Sequence, residues 1–274
     1  MSETPVISFI TSSNRPELWH DAYNNVKDSA EDVEFEYIFV GPHPPVSNLP
    51  SNAKHIQTNN VKVPQCFEIG IRNATGKLLS IQADDTKFQG GGIVKLYGRY
   101  LEICDEQGHD NVVILPGFKD IRTSSTLRYN KIRNAPLASL NSALVGRELL
   151  SKVGGMDKRF IGVYWDCDLA MRLQNIGVHF EKFDKVHSVE FRPKVMPYRL
   201  HRICKPYDRS VLDSFWTRFT DVVEPTLPDD AYCYMGDRRW VVAKNRQKDV
   251  TPYDEEDILL KTQGVKEIGD LKWE

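Results

Sequence analysis

Two pairs of aspartates carry the chemistry this sequence could do. Asp84 and Asp85 directly follow the strand-like run Leu78-Leu79-Ser80-Ile81 and stand next to each other in Ala83-Asp84-Asp85-Thr86. Adjacent carboxylates repel unless a positive group lies before them, and a hard divalent cation such as Mn²⁺ or Mg²⁺ takes oxygen ligands of this kind together with substrate phosphates. The same pair also suits a plain turn, since aspartate is a frequent turn former after a strand. Asp166 and Asp168 open a run whose Leu169, Leu173 and Ile176 share one helical face. Both acids could cap that helix and favour its positive end. The aromatic-rich approach Phe160 to Trp165 ends on Asp166, which instead suits a pocket with a positioned base.

A third set lies near the start. Thr11, Ser12, Asn14 and Arg15 follow the β-rich run Val6 to Ile10 and precede Pro16, at a plausible first helical position. They either hold a nucleotide or, through Ser13 and Asn14, cap the following helix. His187, in Val186-His187-Ser188-Val189-Glu190, is a candidate partner for a metal on the aspartates. His179, His187 and His201 have no H-x-x-x-H spacing, which argues against zinc.

These residues need elements to hold them. Strand-like runs at Val6 to Ile10, Phe35 to Val40, Leu78 to Ile81 and Val112 to Leu115 alternate with helical patterns at 63–75 and Ile93 to Ile103. Such alternation predicts an α/β fold with a mainly parallel sheet covered on both faces. Ligands bind beyond the carboxyl ends of such strands, where the clusters 11–15 and 83–86 would share one crevice. Past residue 120 the pattern loosens: Arg122 to Arg133 is basic and hydroxyl-rich, helices are expected at 166–176 and near 209–223, and 225–274 reads as a surface arm.

Composition narrows the class further. The 274 residues are 41% hydrophobic and 27% charged, as in a folded globular protein, and the net charge of −2 provides no field for a polyanion, so nucleic acid is not an expected partner. No apolar run approaches the ~18 residues of a membrane span, and the start lacks a secretory pattern, so a cytoplasmic location is expected. Five cysteines without a C-x-x-C pair fit a reducing compartment. There is no G-x-S-x-G and no P-loop motif, and Gly90-Gly91-Gly92 is read as lacking the preceding strand of a dinucleotide loop.

Taken in order, the motifs resemble a family-2, GT-A-fold nucleotide-sugar glycosyltransferase. Ile7-Ser8-Phe9-Ile10-Thr11-Ser12-Ser13-Asn14-Arg15-Pro16 resembles the family's first strand and "T-x-x-N-R-P" nucleotide loop. Gly70-Ile71-Arg72-Asn73-Ala74-Thr75-Gly76-Lys77-Leu78-Leu79 is similar to its "G-I-x-x-A-x-G" helix and strand, and Asp84-Asp85 stands at its D-x-D position. Val153-Gly154-Gly155-Met156-Asp157-Lys158-Arg159-Phe160 with Trp165-Asp166-Cys167-Asp168-Leu169 resembles "G-G-F-D-x-x-F … E-D-x-D-L". The likeness spans about residues 6–190. It departs at Val40-Gly41-Pro42, where the family often has a base-reading aspartate, and at Phe67-Glu68, where the family's "R-N-x-G-I" has Arg-Asn and Lys62 is a candidate substitute for the basic contact.

The resemblance implies a GT-A domain over 1–224, with a nucleotide half at 1–115 and an acceptor half at 116–224, followed by the arm. It implies a nucleotide-sugar donor, UDP being the commonest nucleotide, and a glycan or glycoprotein acceptor. The donor would meet Thr11, Ser12, Asn14, Arg15, Lys62, Asp84 and Trp165. Mn²⁺ or Mg²⁺ would sit on Asp85, Asp84 and His187, and Asp166 would be the general base of an inverting displacement. Arg122 to Arg133 would form a loop that orders over the donor. The rivals are a nucleotidyltransferase, which normally has a glycine-rich basic loop where this chain has Thr11 to Arg15, and a non-catalytic nucleotide-sugar-binding protein.

Overall fold

The computed structural model describes residues 5–44, 48–59, 61–120, 140–190, 200–215, 217–218, 232–235, 238–241 and 250–255. The expected loop at Arg122 to Arg133 lies outside the described residues, as does most of 225–274.

Eight strands form one sheet: β1 (Ile7–Ser12), β2 (Phe35–Gly41), β3 (Ala53–Gln57), β4 (Leu78–Gln82), β5 (Thr86–Phe88), β6 (Val112–Asp120), β7 (Leu144–Gly146) and β8 (His179–Glu190). Their order is β3-β2-β1-β4-β7-β6-β8-β5. Strands β3, β2, β1 and β4 run parallel, as do β6 and β8, while β7 and β5 run antiparallel to their neighbours. The sheet is therefore mixed and mainly parallel, as the alternating pattern predicts.

Both faces are covered, and the two-residue period of the strands sorts the side chains between them. On β1, Ile7 and Phe9 pack with Tyr37 and Phe39 of β2 against helices α1 (Trp19–Ala30) and α3 (Gly92–Gln107). On the other face, Ile10, Ile38, Val40, Leu79 and Ile81 pack against α2 (Val63–Asn73), α4 (Arg147–Lys152) and α5 (Trp165–Asn175). Removing a fully buried core side chain such as Ile10 or Ile38 would cost about 2–5 kcal/mol, from lost transfer free energy and the cavity left behind.

From the neighbouring strands β1 and β4 the chain goes in opposite directions along the strand order, to β2 and to β5, and the crevice between their carboxyl ends is the topological switch point. Gly41, at the end of β2, lets the chain after β1 lie close: a Cβ there would sit 1.9 Å from the Ser13 carbonyl oxygen. Any side chain at 41 would push the Ser13 loop away from the crevice.

Several expectations need correction. The helix expected near 209–223 is α6 at Leu200–Phe215, preceding the short strand β9 (Thr217–Arg218). Strand β9 joins β10 (Tyr232–Met235) and β11 (Arg238–Val241) in a small separate sheet. The triple glycine does follow a strand, since β5 ends at Phe88 and Gly92 begins α3. That strand is an antiparallel edge strand, so no β-α-β dinucleotide loop results. Within the expected arm, Tyr253 is 4% exposed and belongs to the α2 face, and its carbonyl accepts from Arg72. The burial ties residues around 253 to the main body.

Candidate active site

The loop after β1 and the turn after β4 meet at the switch point. Ser13 is buried, and its hydroxyl donates to Asp84 Oδ2 at 2.5 Å while accepting from Trp19 Nε1 at 2.8 Å and from the Arg15 N–H at 3.1 Å. Its one donor and two acceptor positions are thus all used. The Trp19 ring is fixed in turn by stacking on Phe39, 4.8 Å between centroids. Arg15 donates from Nε to Asp84 Oδ2 at 3.0 Å and from Nη2 to Asp84 Oδ1, and the same Nη2 lies 3.1 Å from Asp85 Oδ2. One guanidinium therefore bridges both acids in the two-pronged geometry that suits carboxylates.

Burial pushes the Asp85 carboxyl up, Arg15 opposes the rise, and the negative charges of Asp84 and Glu190 add to it. Burial alone would lower the Arg15 pKa, and its contacts with Asp84 and Asp85 outweigh this and raise it. The guanidinium keeps a second feature: Nη1 is buried and has no hydrogen-bond partner among the described residues.

A divalent cation on this pair fails a simple test. Both Asp84 oxygens and Asp85 Oδ2 already face Arg15 or Ser13, so an ion on those oxygens would lie against a guanidinium. Among the described residues no three His, Cys, Asp or Glu side chains gather as a metal-binding group. The set Asp84, Asp85 and His187 is thus not assembled. His187 lies over Gly117, where an added Cβ would come within 3.0 Å of its Nε2. Ser188, next to it, bonds Ser142 in the interior, and Glu190 follows on the same side of the strand by alternation. From β8, the charge of Glu190 reaches Asp85. As arranged, these residues do not fit a resident metal.

The other expected donor residues scatter. Ser12 is half-buried at the end of β1 and Asn14 is exposed beside Arg15. Thr11 is fully buried, its hydroxyl 2.9 Å from the Tyr37 hydroxyl, and so belongs to the sheet interior rather than to a ligand surface. Neither Ser13 nor Asn14 caps the turn at Pro16–Leu18, which has no side-chain cap. Trp165, 9% exposed, packs on Phe67 with centroids 4.6 Å apart, so its ring is committed to the core. Lys62 Nζ donates to the Lys158 carbonyl at 3.2 Å, which commits it to holding a loop.

That loop leads to Asp166. Residues 157–164 run past the start of α2, where the Val63 N–H meets the Ile161 carbonyl at 3.1 Å. Helix α2 begins just after the carboxyl end of β3, so this contact brings the start of α5 to the same end of the sheet as Arg15 and Asp84. On its other side the loop is held by Asp208 of α6, whose carboxylate accepts the N–H groups of Ile161, Gly162 and Val163, each at 2.8 Å. Tyr164 then takes a left-handed conformation, φ 62°, with Arg209 of α6 5.8 Å over its ring. Such a backbone costs a bulky residue about 1–3 kcal/mol and persists where its surroundings hold it. Asp166 follows, half-buried, in the first turn of α5.

Asp168 differs sharply from Asp166. It is fully buried and accepts from Arg172 Nε at 3.0 Å, while Arg172 also donates to the carbonyls of Val153 and Gly155. The N-cap position of α5 is Tyr164, and both acids lie in the first turn after it. Glu68, where the family resemblance lapses, takes the Met156 N–H at 2.9 Å and Arg72 at 2.8 Å, bracing the Gly-Gly turn that precedes this loop.

The fold of the chain matches that of S. aureus TarS. TarS 1–349 superposes with a TM-score of 0.52 at 14% identity over 66% of this chain and 59% of that one. A second TarS structure gives 0.53 at 12% identity over 76% and 40%. The complex of TarS 1–349 with UDP-GlcNAc gives 0.53 at 13% identity over 76% and 66%. The chain shares the fold of TarS. At these identities the fold alone is what the likeness shows, and the chain spans less than two thirds of each neighbour. No protein-family model and no curated protein matches the sequence.

Proposed function

We propose that this chain is a nucleotide-sugar-dependent glycosyltransferase, with UDP as the nucleotide and a hydroxyl of a glycan or glycoprotein as the acceptor. The observation that carries the reading is the convergence of Arg15, Ser13 and Asp84 at the switch point of a sheet shared with TarS, a protein solved with UDP and with UDP-GlcNAc. In a parallel sheet that crevice is where nucleotides bind. The transfer is an inverting displacement. Asp166 accepts the proton of the acceptor hydroxyl, the acceptor oxygen bonds to the anomeric carbon, and the bond from that carbon to the diphosphate breaks. The loop held by Asp208 and Lys62 sets where Asp166 stands, which matters because a misplacement near 1 Å can cost about 10²-fold. Among the described residues no helix is long and apolar enough to cross a membrane, and we place the activity in the cytoplasm.

A thermal-shift panel of UDP, GDP and dTDP sugars tests the reading. A ligand that binds only the folded state at 100 times its Kd adds about 2.7 kcal/mol, enough to raise Tm measurably. A rise with one nucleotide is the expected result; no rise with any of the three would sink the proposal.

A further inference from the structure

We infer that Arg15 itself is the cation of the acidic pair, so that this chain holds the donor's diphosphate through a guanidinium and binds it without a divalent metal. The inference rests on the nucleotide-sugar reading above and deepens it. Three observations carry it. The guanidinium is gripped by Asp84 through Nε and Nη2 and reaches Asp85 through Nη2, so three of the four carboxylate oxygens already face a cation. Its position is not a side-chain accident: the Arg15 N–H bonds the Ser13 hydroxyl that also donates to Asp84, and that hydroxyl is fixed by Trp19. Finally, Arg15 Nη1 is buried with two N–H groups and no acceptor among the described residues.

A charged donor left buried and unpaired is unfavourable, and a ligand that supplies the missing acceptor removes that penalty. The crevice position selects an anion, and diphosphate oxygens match the rigid fork of a guanidinium. The site's net charge does not supply the attraction. Asp84 and Asp85 give two negative charges against one positive, and Glu190 adds a third that Asp85 feels. A diphosphate is therefore not drawn in by the site's net charge; it is recognised by donors already oriented, with no side-chain freedom left to lose on binding. Asp84 and Asp85 act here as positioning residues for Arg15.

Isothermal titration of the full chain with UDP, GDP and dTDP, each in EDTA and in Mn²⁺, tests this. The binding nucleotide should have the same Kd in both conditions within about twofold. Arg15→Gln should weaken it roughly 10- to 100-fold in both, the loss of a charge-assisted contact. With its acids released, that variant should also take up Mn²⁺ more tightly than the wild type when titrated with the metal alone. A nucleotide that binds only with Mn²⁺ would overturn the inference and leave the glycosyltransferase reading standing. Unchanged affinity in Arg15→Gln would overturn it equally. If no nucleotide binds in either condition, both fall. The wild-type comparison stands even if the variant fails to fold.

Discussion

Asp208 accepts the Gly162 N–H at 2.8 Å, joining helix α6 to a residue 46 positions earlier in the chain. With the bonds from Ile161 and Val163, it makes one carboxylate the fixed point of the loop that leads to Asp166. Burial pushes the Asp208 carboxyl up, and the three N–H groups and the charge of Lys62 oppose that rise. Replacing Asp208 by Ala leaves three N–H groups without their acceptor, at about 1–3 kcal/mol each. We expect a stability loss of about 3 kcal/mol or more in denaturant melts, with the deficit partly restored in Asp208→Asn, which keeps one oxygen acceptor. Equal stability in the alanine variant would show that the loop does not depend on α6.

The two acids of α5 should separate by the kind of damage they cause. Asp168 is fully buried on Arg172, so Asp168→Asn leaves a buried guanidinium short of its counter-charge and should cost about 3–5 kcal/mol. Half-buried Asp166 should cost little when changed to Asn. Urea midpoints of the two variants check this: a smaller loss for Asp168→Asn than for Asp166→Asn would contradict the assignment of Asp168 to structure.

Much of this arrangement is legible in the sequence, and the limits have physical causes. Strands β1, β2 and β4 and helices α2, α3 and α5 show in the sequence because each buries a continuous apolar face and ends at a residue that breaks the pattern, such as Gly41 at the end of β2 or Gly108 after α3. Strand β8 does not show. Its Glu181, Lys182, Asp184 and Lys185 hide the two-residue alternation, since the strand is only partly covered by α3. The acidic pair Asp84-Asp85 stands out in the chain, but its partner does not: two adjacent acids look the same whether the neutralising charge is a metal ion or an arginine 69 residues earlier. Asp208 lies in a helix of mixed polarity and bonds the backbone of a distant segment, a relation without a local pattern. Trp165 reads as part of an aromatic pocket because aromatic residues serve cores and ligand sites alike, and only its contact with Phe67 decides between them.

Acid should reveal a third relationship, near the amino ends of β1 and β2. Glu36 accepts from the Ser8 hydroxyl at 2.7 Å and from the Thr75 N–H at 2.6 Å, with Lys54 at 3.0 Å. Burial alone would raise its pKa, but the Thr75, Ser8 and Lys54 contacts win and hold the carboxyl at about 2. A folded value below the unfolded one means that the stabilisation is complete above the unfolded pKa and is lost as pH falls toward 2. Thermal melts of wild type and Glu36→Gln should therefore differ most at neutral pH and converge in acid. A gap that stays constant from pH 7 to pH 3 would contradict this.

Turnover of the donor tests the central claim most directly, because it needs no knowledge of the acceptor. Water can take the acceptor's place, and release of nucleoside diphosphate from the nucleotide sugar that raises Tm is followed in wild type and Asp166→Asn, beside the donor Kd of each. We expect slow release by the wild type, a fall of roughly 10²- to 10⁴-fold in Asp166→Asn, and a nearly unchanged Kd, the mark of lost proton transfer rather than lost binding. Release by Asp166→Asn at the wild-type rate, or no release by the wild type from a donor it binds, would contradict the account.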